Sequence, residues 1–203
     1  MTTALQEITE LIKIQNIEDQ DSLNNIKQNI AKKHKLPKTP TNIEILISLP
    51  KEKIAEFKKI LLSKPTRTIS GVSPVAVMTA PSKCPHGKCT FCPGGLNSPW
   101  GDVPQSYTGH EPATMRGIRN KYDSYLQVFN RLQQYVLMGH SFDKLEIIVM
   151  GGTFPAEPKE YQEEFVYGIF KAMNDFSDLF FAAQGGFDFL KFKEFFELPG
   201  DMH

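Results

Sequence analysis

Residues 72–101 read VSPVAVMTAPSKCPHGKCTFCPGGLNSPWG. The first nine, Val72 to Ala80, are a short valine-rich apolar run of the kind a buried strand needs. From Pro81 onward prolines and glycines punctuate the chain. All three cysteines of the sequence fall here, Cys84, Cys89 and Cys92, with the spacing C-x4-C-x2-C. Such a stretch predicts a loop, neither a helix nor a regular strand.

Downstream, the loop continues through DVPQSYTGHEP. A helix is expected from about 113 to 138, with Tyr122, Tyr125, Phe129, Leu132 and Val136 on its apolar side and Gly139 as its stop. KLEIIVM, residues 144–150, reads as a second strand and runs into Gly151-Gly152-Thr153-Phe154. A further helix is expected over 158–173. Strand, loop, helix repeated twice gives a βαβα order, hence an α/β class with parallel strands. Right-handed crossovers place both strand-end loops at one carboxyl edge, where ligands of such sheets bind. The cysteine loop and the Gly-Gly turn are therefore expected to meet. Residues 174–203 hold eight phenylalanines, which suggests an extension that packs on something.

Upstream, Ile8, Ile12, Leu23, Ile26 and Ile30 recur at helical spacing, so residues 3–34 read as helical. KLPKTPTN, residues 35–42, ends that run, and residues 51–63 carry a second amphipathic stripe. Residues 1–66 thus read as a basic helical N-terminal arm, and residues 67–203 as the start of the α/β part. Residues 27–67 hold ten Lys and one Arg against three Glu, a net of +8, while residues 141–203 carry a net of −7. The chain as a whole is neutral. A basic segment set apart in this way can be a solvated face or can meet a polyanion.

Hydrophobic residues make up 40% and charged residues 23%, and no apolar run is long enough to span a bilayer. Acids at Glu7, Glu10, Glu18 and Asp19 argue against a secretory leader. Three cysteines do not make a disulfide framework, so a cytoplasmic location is expected, with no membrane partner.

Three thiolates on one loop have three uses. They can hold a [4Fe-4S] cluster with one iron left open. They can hold zinc, with His86 or His110 as a fourth ligand. Or they can be buried small side chains, although three within nine residues among glycines and prolines do not look like core. A zinc-stabilised, noncatalytic RNA-binding module is the alternative function that the zinc reading would carry.

A cysteine triad after the first strand, Phe91 before its last cysteine, and a glycine motif ending the second strand resemble the radical S-adenosylmethionine enzymes. Their usual C-x3-C-x2-C spacing is one residue shorter. CPHGKCTFCPGG, QSYTGHEPATMRGIRNKYD and GHSFDKLEIIVMGGTFPAEP more closely resemble the Elongator catalytic-subunit family, archaeal members especially. The ending KFKEFFELPGDMH also looks archaeal.

The resemblance implies a fold, the first part of a radical S-adenosylmethionine partial (βα) barrel. It implies an activity, modification of the wobble uridine (position 34) of tRNA at carbon 5. Cys84, Cys89 and Cys92 would hold three irons, and S-adenosylmethionine would chelate the fourth through its amino and carboxylate groups. Gly151, Gly152 and Thr153 match the motif that faces the methionine moiety, and Lys144 matches a lysine assigned to acetyl-CoA. tRNA would meet Lys32, Lys33, Lys35 and Lys38 of the arm, with Arg116 and Arg119 at the following helix. Tyr107, Thr108, His110, Glu111 and Arg116 are expected along the pocket. Complete family members are more than twice as long and carry an acetyltransferase domain that is not found here. The chain thus reads as an N-terminal fragment, expected to be incompetent alone, with the remainder in a continuing frame or a separate partner chain.

Overall fold

The computed structural model describes residues 2–63, 65–183 and 185–198. Lys64 of the basic segment and the last five residues of the archaeal-like ending lie outside them. Among the described residues no helix is long and apolar enough to cross a membrane.

In chain order the elements are α1 (Thr2–Ile14), α2 (Gln20–Lys33), α3 (Asn42–Ser48), α4 (Lys51–Leu61), β1 (Ser73–Met78), β2 (Gly95–Ser98), β3 (Gly101–Val103), α5 (Pro112–Arg119), α6 (Ser124–Leu137), β4 (Leu145–Met150), α7 (Lys159–Phe180) and α8 (Phe189–Phe195). Two compact units result. One comprises residues 1–69, 135–141 and 180–203, and the other residues 70–134 and 142–179.

The first unit is a helical domain with its own core, built from Ile8 and Ile12 of α1, Leu23 and Ile30 of α2, Ile45 of α3 and Phe57 of α4. The single helix expected over 3–34 is in fact two. Asn16 takes a left-handed φ of 46°, and the Ile17 N–H donates back to the Ile12 carbonyl at 3.0 Å, which closes α1. Asp19 then caps α2, accepting from the Ser22 N–H at 2.8 Å. The apolar periodicity is continuous enough to hide the break. Residues 42–48, to which the sequence pattern assigns no element, form α3 behind a capping box in which Thr41 and Glu44 exchange hydrogen bonds. Backbone and side-chain bonds with Thr41 and Lys38 hold the Glu44 carboxyl down at about 2. The phenylalanine-rich end from Phe180 onward also belongs to this unit. Phe180 meets the rings of Phe192 and Phe195, each at 5.3 Å, and buried Lys193 donates to the Ile47 carbonyl of α3 at 2.6 Å.

The second unit contains the expected parallel pair, β1 beside β4, in register from Ser73↔Leu145 to Met78↔Met150. The Ser73 and Thr79 N–H groups donate to Lys144 and Met150 carbonyls at 2.9 and 2.8 Å. Groups of β1 therefore alternate, and those of Ala76 and Met78 point away from β4. Side chains close that far edge. Gln127 of α6 accepts from the Met78 N–H at 2.8 Å and donates to the Met78 carbonyl at 2.9 Å, and Arg116 of α5 donates to the Ala76 carbonyl at 2.9 Å. A carboxamide and a guanidinium thus replace a neighbouring strand. The mixed α/β class and the parallel strands agree with expectation.

Three boundaries differ. The expected loop after the cysteines contains an antiparallel hairpin, β2–β3. The helix expected over 113–138 is split at Lys121 and Tyr122, both left-handed with φ of 53° and 59°. Gly117 explains the split: a Cβ there would sit 3.0 Å from both the Met78 side chain and the Tyr122 ring, so α5 lies tight on β1 and the chain must turn to start α6. The last helix runs on to Phe180 rather than ending near 173.

Candidate functional site

β1 delivers the chain into the cysteine loop, and β4 delivers it into the Gly-Gly turn. Two short turns shape the loop, with Gly87 N–H on the Cys84 carbonyl at 3.0 Å and Cys92 N–H on the Cys89 carbonyl at 3.1 Å. All three thiols are free, Cys89 exposed and the other two half-buried. Cys84 Sγ lies 3.6 Å from His86 Nδ1.

The loop and the turn do meet. Gly151 sits against Thr79 so closely that a Cβ would collide with the Thr79 hydroxyl, and its φ of 153° also favours glycine. A Cβ on Gly152 would lie 3.7 Å from Gln105 Cβ, and Gln105 Nε2 donates to the Gly87 carbonyl at 2.6 Å. Gln105 therefore lies between the two segments, bonded to Gly87 through its amide and adjacent to Gly152 through its backbone and Cβ. The Tyr161 hydroxyl of α7 accepts from the Ala80 N–H at 3.0 Å, and the Ser82 hydroxyl donates to the Glu157 carboxylate. The start of the cysteine loop is thus fastened to the segment that follows the Gly-Gly turn.

Beside the loop lies a cavity of about 320 Å³ whose lining includes Ser82, Lys83, Cys84, Lys88, Asn97 and Gln105. Among the described residues two lysines and no carboxylate line it, which favours an anionic ligand. Gly94 forms part of its floor, and a Cβ there would collide with the Tyr107 carbonyl. As a donor set the loop suits a soft metal centre: three thiols, none in a disulfide, on a glycine-rich segment. In this conformation no three His, Cys, Asp or Glu side chains converge on one point among the described residues.

None of Tyr107, Thr108, His110, Glu111 or Arg116 lines this cavity. Glu111 is instead a turn-former. It accepts from the Thr108 N–H and hydroxyl, both at 2.9 Å, and from the Gly109 N–H at 3.1 Å. Burial opposes its ionisation, but those bonds win and hold the carboxyl at about 2. Arg116 is half-buried and spends a donor on the β1 edge, whereas Arg119 is exposed. Lys144 is exposed at the amino end of β4, about 20 Å of strand from Gly151. Thr153 sits at the entrance of a short helical turn over Phe154–Ala156.

In the first unit, Lys33 pairs with Glu7 at 2.5 Å and Lys38 with Glu44 at 2.9 Å. His34 Nε2 shares Glu7 at 2.7 Å. Lys32 and Lys35 are exposed and make no ion pair among the described residues. Exposed pairs of this kind are weak, so all four lysines remain open to phosphate, Lys32 and Lys35 at least cost. Gln105, Gln127 and Tyr161 are site residues that the sequence does not announce: a glutamine or tyrosine outside any motif carries no signal of a bridging role.

Residues 1–69 match the ELP3 N-terminal domain. The tRNA uridine(34) acetyltransferase of Methanocaldococcus infernus is 57% identical over 136 residues, 67% of this chain and 26% of the relative. That of Methanocaldococcus jannaschii is 56% identical over 135 residues, 66% and 25% of the two chains. Elongator complex protein 3 of Drosophila melanogaster is 41% identical over 179 residues, 84% and 32%. The chain therefore spans between a quarter and a third of the length of these relatives. The chain thus carries an ELP3 N-terminal domain match over residues 1–69 and, over two thirds or more of its length, is a homologue of the proteins named tRNA uridine(34) acetyltransferase and Elongator complex protein 3.

Proposed function

We propose that this chain supplies the cofactor-facing edge and part of the RNA-binding surface of an enzyme that modifies uridine 34 of tRNA at carbon 5. The observation that carries the reading is the meeting of the three-cysteine loop with the Gly151-Gly152 turn at one carboxyl edge of a parallel sheet, through Gln105. Cys84, Cys89 and Cys92 would hold a [4Fe-4S] cluster, whose chemistry when bound is one-electron reduction of S-adenosylmethionine. Gly151 and Gly152 leave the backbone bare for close approach of a ligand. Lys83 and Lys88 add positive charge at the cavity for a carboxylate. Gln105 holds the loop by its Gly87 carbonyl and so fixes the span between thiols and glycines. Acetyl-CoA is the proposed acyl donor, with Lys144 as its candidate contact at the other end of β4. Radical chemistry needs an enclosed site, and the two parallel strands of the described residues do not enclose one. The 203 residues alone are therefore expected to bind cofactor without completing uridine modification.

A second reading rests on the approach of Cys84 to His86: a zinc ion on the same loop of a noncatalytic RNA-binding module. One experiment separates the two. The chain is reconstituted anaerobically with iron and sulfide, reduced, and examined by electron paramagnetic resonance before and after S-adenosylmethionine is added. The enzyme reading expects a cluster signal that S-adenosylmethionine changes, and a Gly152→Val variant that keeps its iron but loses the response. A colourless zinc protein favours the second reading, and a cluster indifferent to S-adenosylmethionine counts against the first.

A further inference from the structure

We propose that Trp100, braced by His110, is a platform on which an unpaired base of an RNA loop stacks. The inference rests on the reading that the chain handles tRNA. Trp100 is the single tryptophan of the chain and is 52% exposed at the tip of the β2–β3 hairpin. An indole in that position serves no core, and its flat face is the asset it offers.

The tip is built to hold that ring still. The Trp100 backbone N–H donates to Ser98 Oγ at 3.2 Å, and Ser98 Oγ donates to the Gly101 carbonyl at 2.7 Å, so the turn that carries the ring is fixed. The Asn97 N–H donates to Asp102 at 2.7 Å across the hairpin. His110 meets the indole edge-to-face, with ring centroids 5.6 Å apart and planes at 89°. A perpendicular ring covers at most one indole face, and at 52% exposure the indole keeps surface for a base. Because the ring is already ordered, stacking costs little further entropy.

Charge points to a base rather than a phosphate. Residues 95–103, GLNSPWGDV, contain no Lys or Arg and carry the acid Asp102. The hairpin tip itself offers a phosphate no cation, whereas a π-face is sequence-tolerant and neutral. Location agrees: Leu96 and Asn97 of the same hairpin line the cavity beside Cys84. The platform thus rises from the rim of the candidate site, where a loop entering that site would have its bases splayed out.

The single tryptophan makes the test direct. The 203-residue chain is titrated with an anticodon stem–loop RNA containing uridine 34, and with a fully paired duplex of the same length. Intrinsic fluorescence and labelled-RNA anisotropy are read over a range of salt. The stem–loop should quench Trp100 saturably and the duplex should not. Trp100→Ala should weaken stem–loop binding roughly 5- to 150-fold with an unchanged salt slope, and Trp100→Phe should recover most of the loss. Wild-type affinity in Trp100→Ala, or equal quenching by the duplex, would overturn the platform. Binding of the stem–loop with a steep salt slope but no quenching defeats the platform alone. Failure of the wild-type chain to bind either RNA defeats the tRNA reading and the platform with it.

Discussion

Replacing Gln127 by leucine isolates the device that closes the free edge of β1. Gln127 is fully buried, and its carboxamide makes both hydrogen bonds to Met78, at 2.8 and 2.9 Å. Leucine fills much of the volume but offers neither donor nor acceptor. Met78, itself fully buried, would then hold an N–H and a carbonyl without partners. Each such group costs about 1–3 kcal/mol when left unmade, so the pair is worth roughly 2–5 kcal/mol once partial relaxation is allowed. That is a large part of the roughly 5–15 kcal/mol typical of a domain. Urea unfolding followed by circular dichroism should show the stability of the β1-bearing unit falling by that amount. Amide exchange should speed most at Met78, which has then no acceptor, and less at Thr79, whose bond to Met150 remains. A Gln127→Leu chain within about 0.5 kcal/mol of wild type, the range of ordinary surface changes, with Met78 still protected, would refute the idea that the carboxamide stands in for a strand.

Other predictions test neighbouring parts of the account. Gly151→Ala should destabilise the second unit by about 1–3 kcal/mol in thermal unfolding, and Thr79→Ala in the same chain should return part of it, because the collision is with the Thr79 hydroxyl. Glu44 and Glu111 are both held at about 2, so their contribution is complete above the ordinary carboxylate range of about 4–5 and fades as pH falls toward 2. Stability measured from about pH 6 to pH 2 should therefore decline less steeply in Glu44→Gln and Glu111→Gln than in wild type. Lys32→Ala with Lys35→Ala should lower the slope of log affinity for tRNA against log salt by about 1 for each lysine that meets a phosphate. Lys33→Ala should change it less, since Glu7 already engages that lysine, and equal slopes for all variants would make this face merely solvated.

Much of the site is legible in the sequence because its chemistry is local there. The three cysteines share one loop, and the rule that parallel strands present their carboxyl ends together is enough to bring Gly151 and Gly152 to that loop. Helix interruptions are not legible. The breaks at Asn16 and at Lys121-Tyr122 depend on left-handed residues that are not glycine, and periodicity runs straight through them. The hairpin at 95–103 is hidden by Pro99 and its two glycines, although Asn97 and Gly101, both at positive φ, are what bend it. The charge of Arg116 is visible in the sequence, whereas the Ala76 carbonyl that accepts from it is not. Gln105 and Gln127 carry no pattern at all, and only packing reveals that the Gln105 amide ties the cysteine loop at Gly87 and the Gln127 amide ties α6 to Met78 of β1. The phenylalanines after 174 announce burial, but the place of those from Phe180 onward in the helical unit beside α3 depends on long-range interactions such as that of Lys193 with Ile47.

The central claim is that Cys84, Cys89 and Cys92 together hold an iron–sulfur cluster at the edge shared with Gly151 and Gly152. Iron, sulfide and zinc should be counted in the anaerobically reconstituted chain and in each of the three single Cys→Ala variants. The account predicts about four irons and four sulfides per wild-type chain, visible absorption from thiolate-bound iron, and loss of both in every variant. Stoichiometric zinc without iron, or iron that survives removal of any one cysteine, would contradict it.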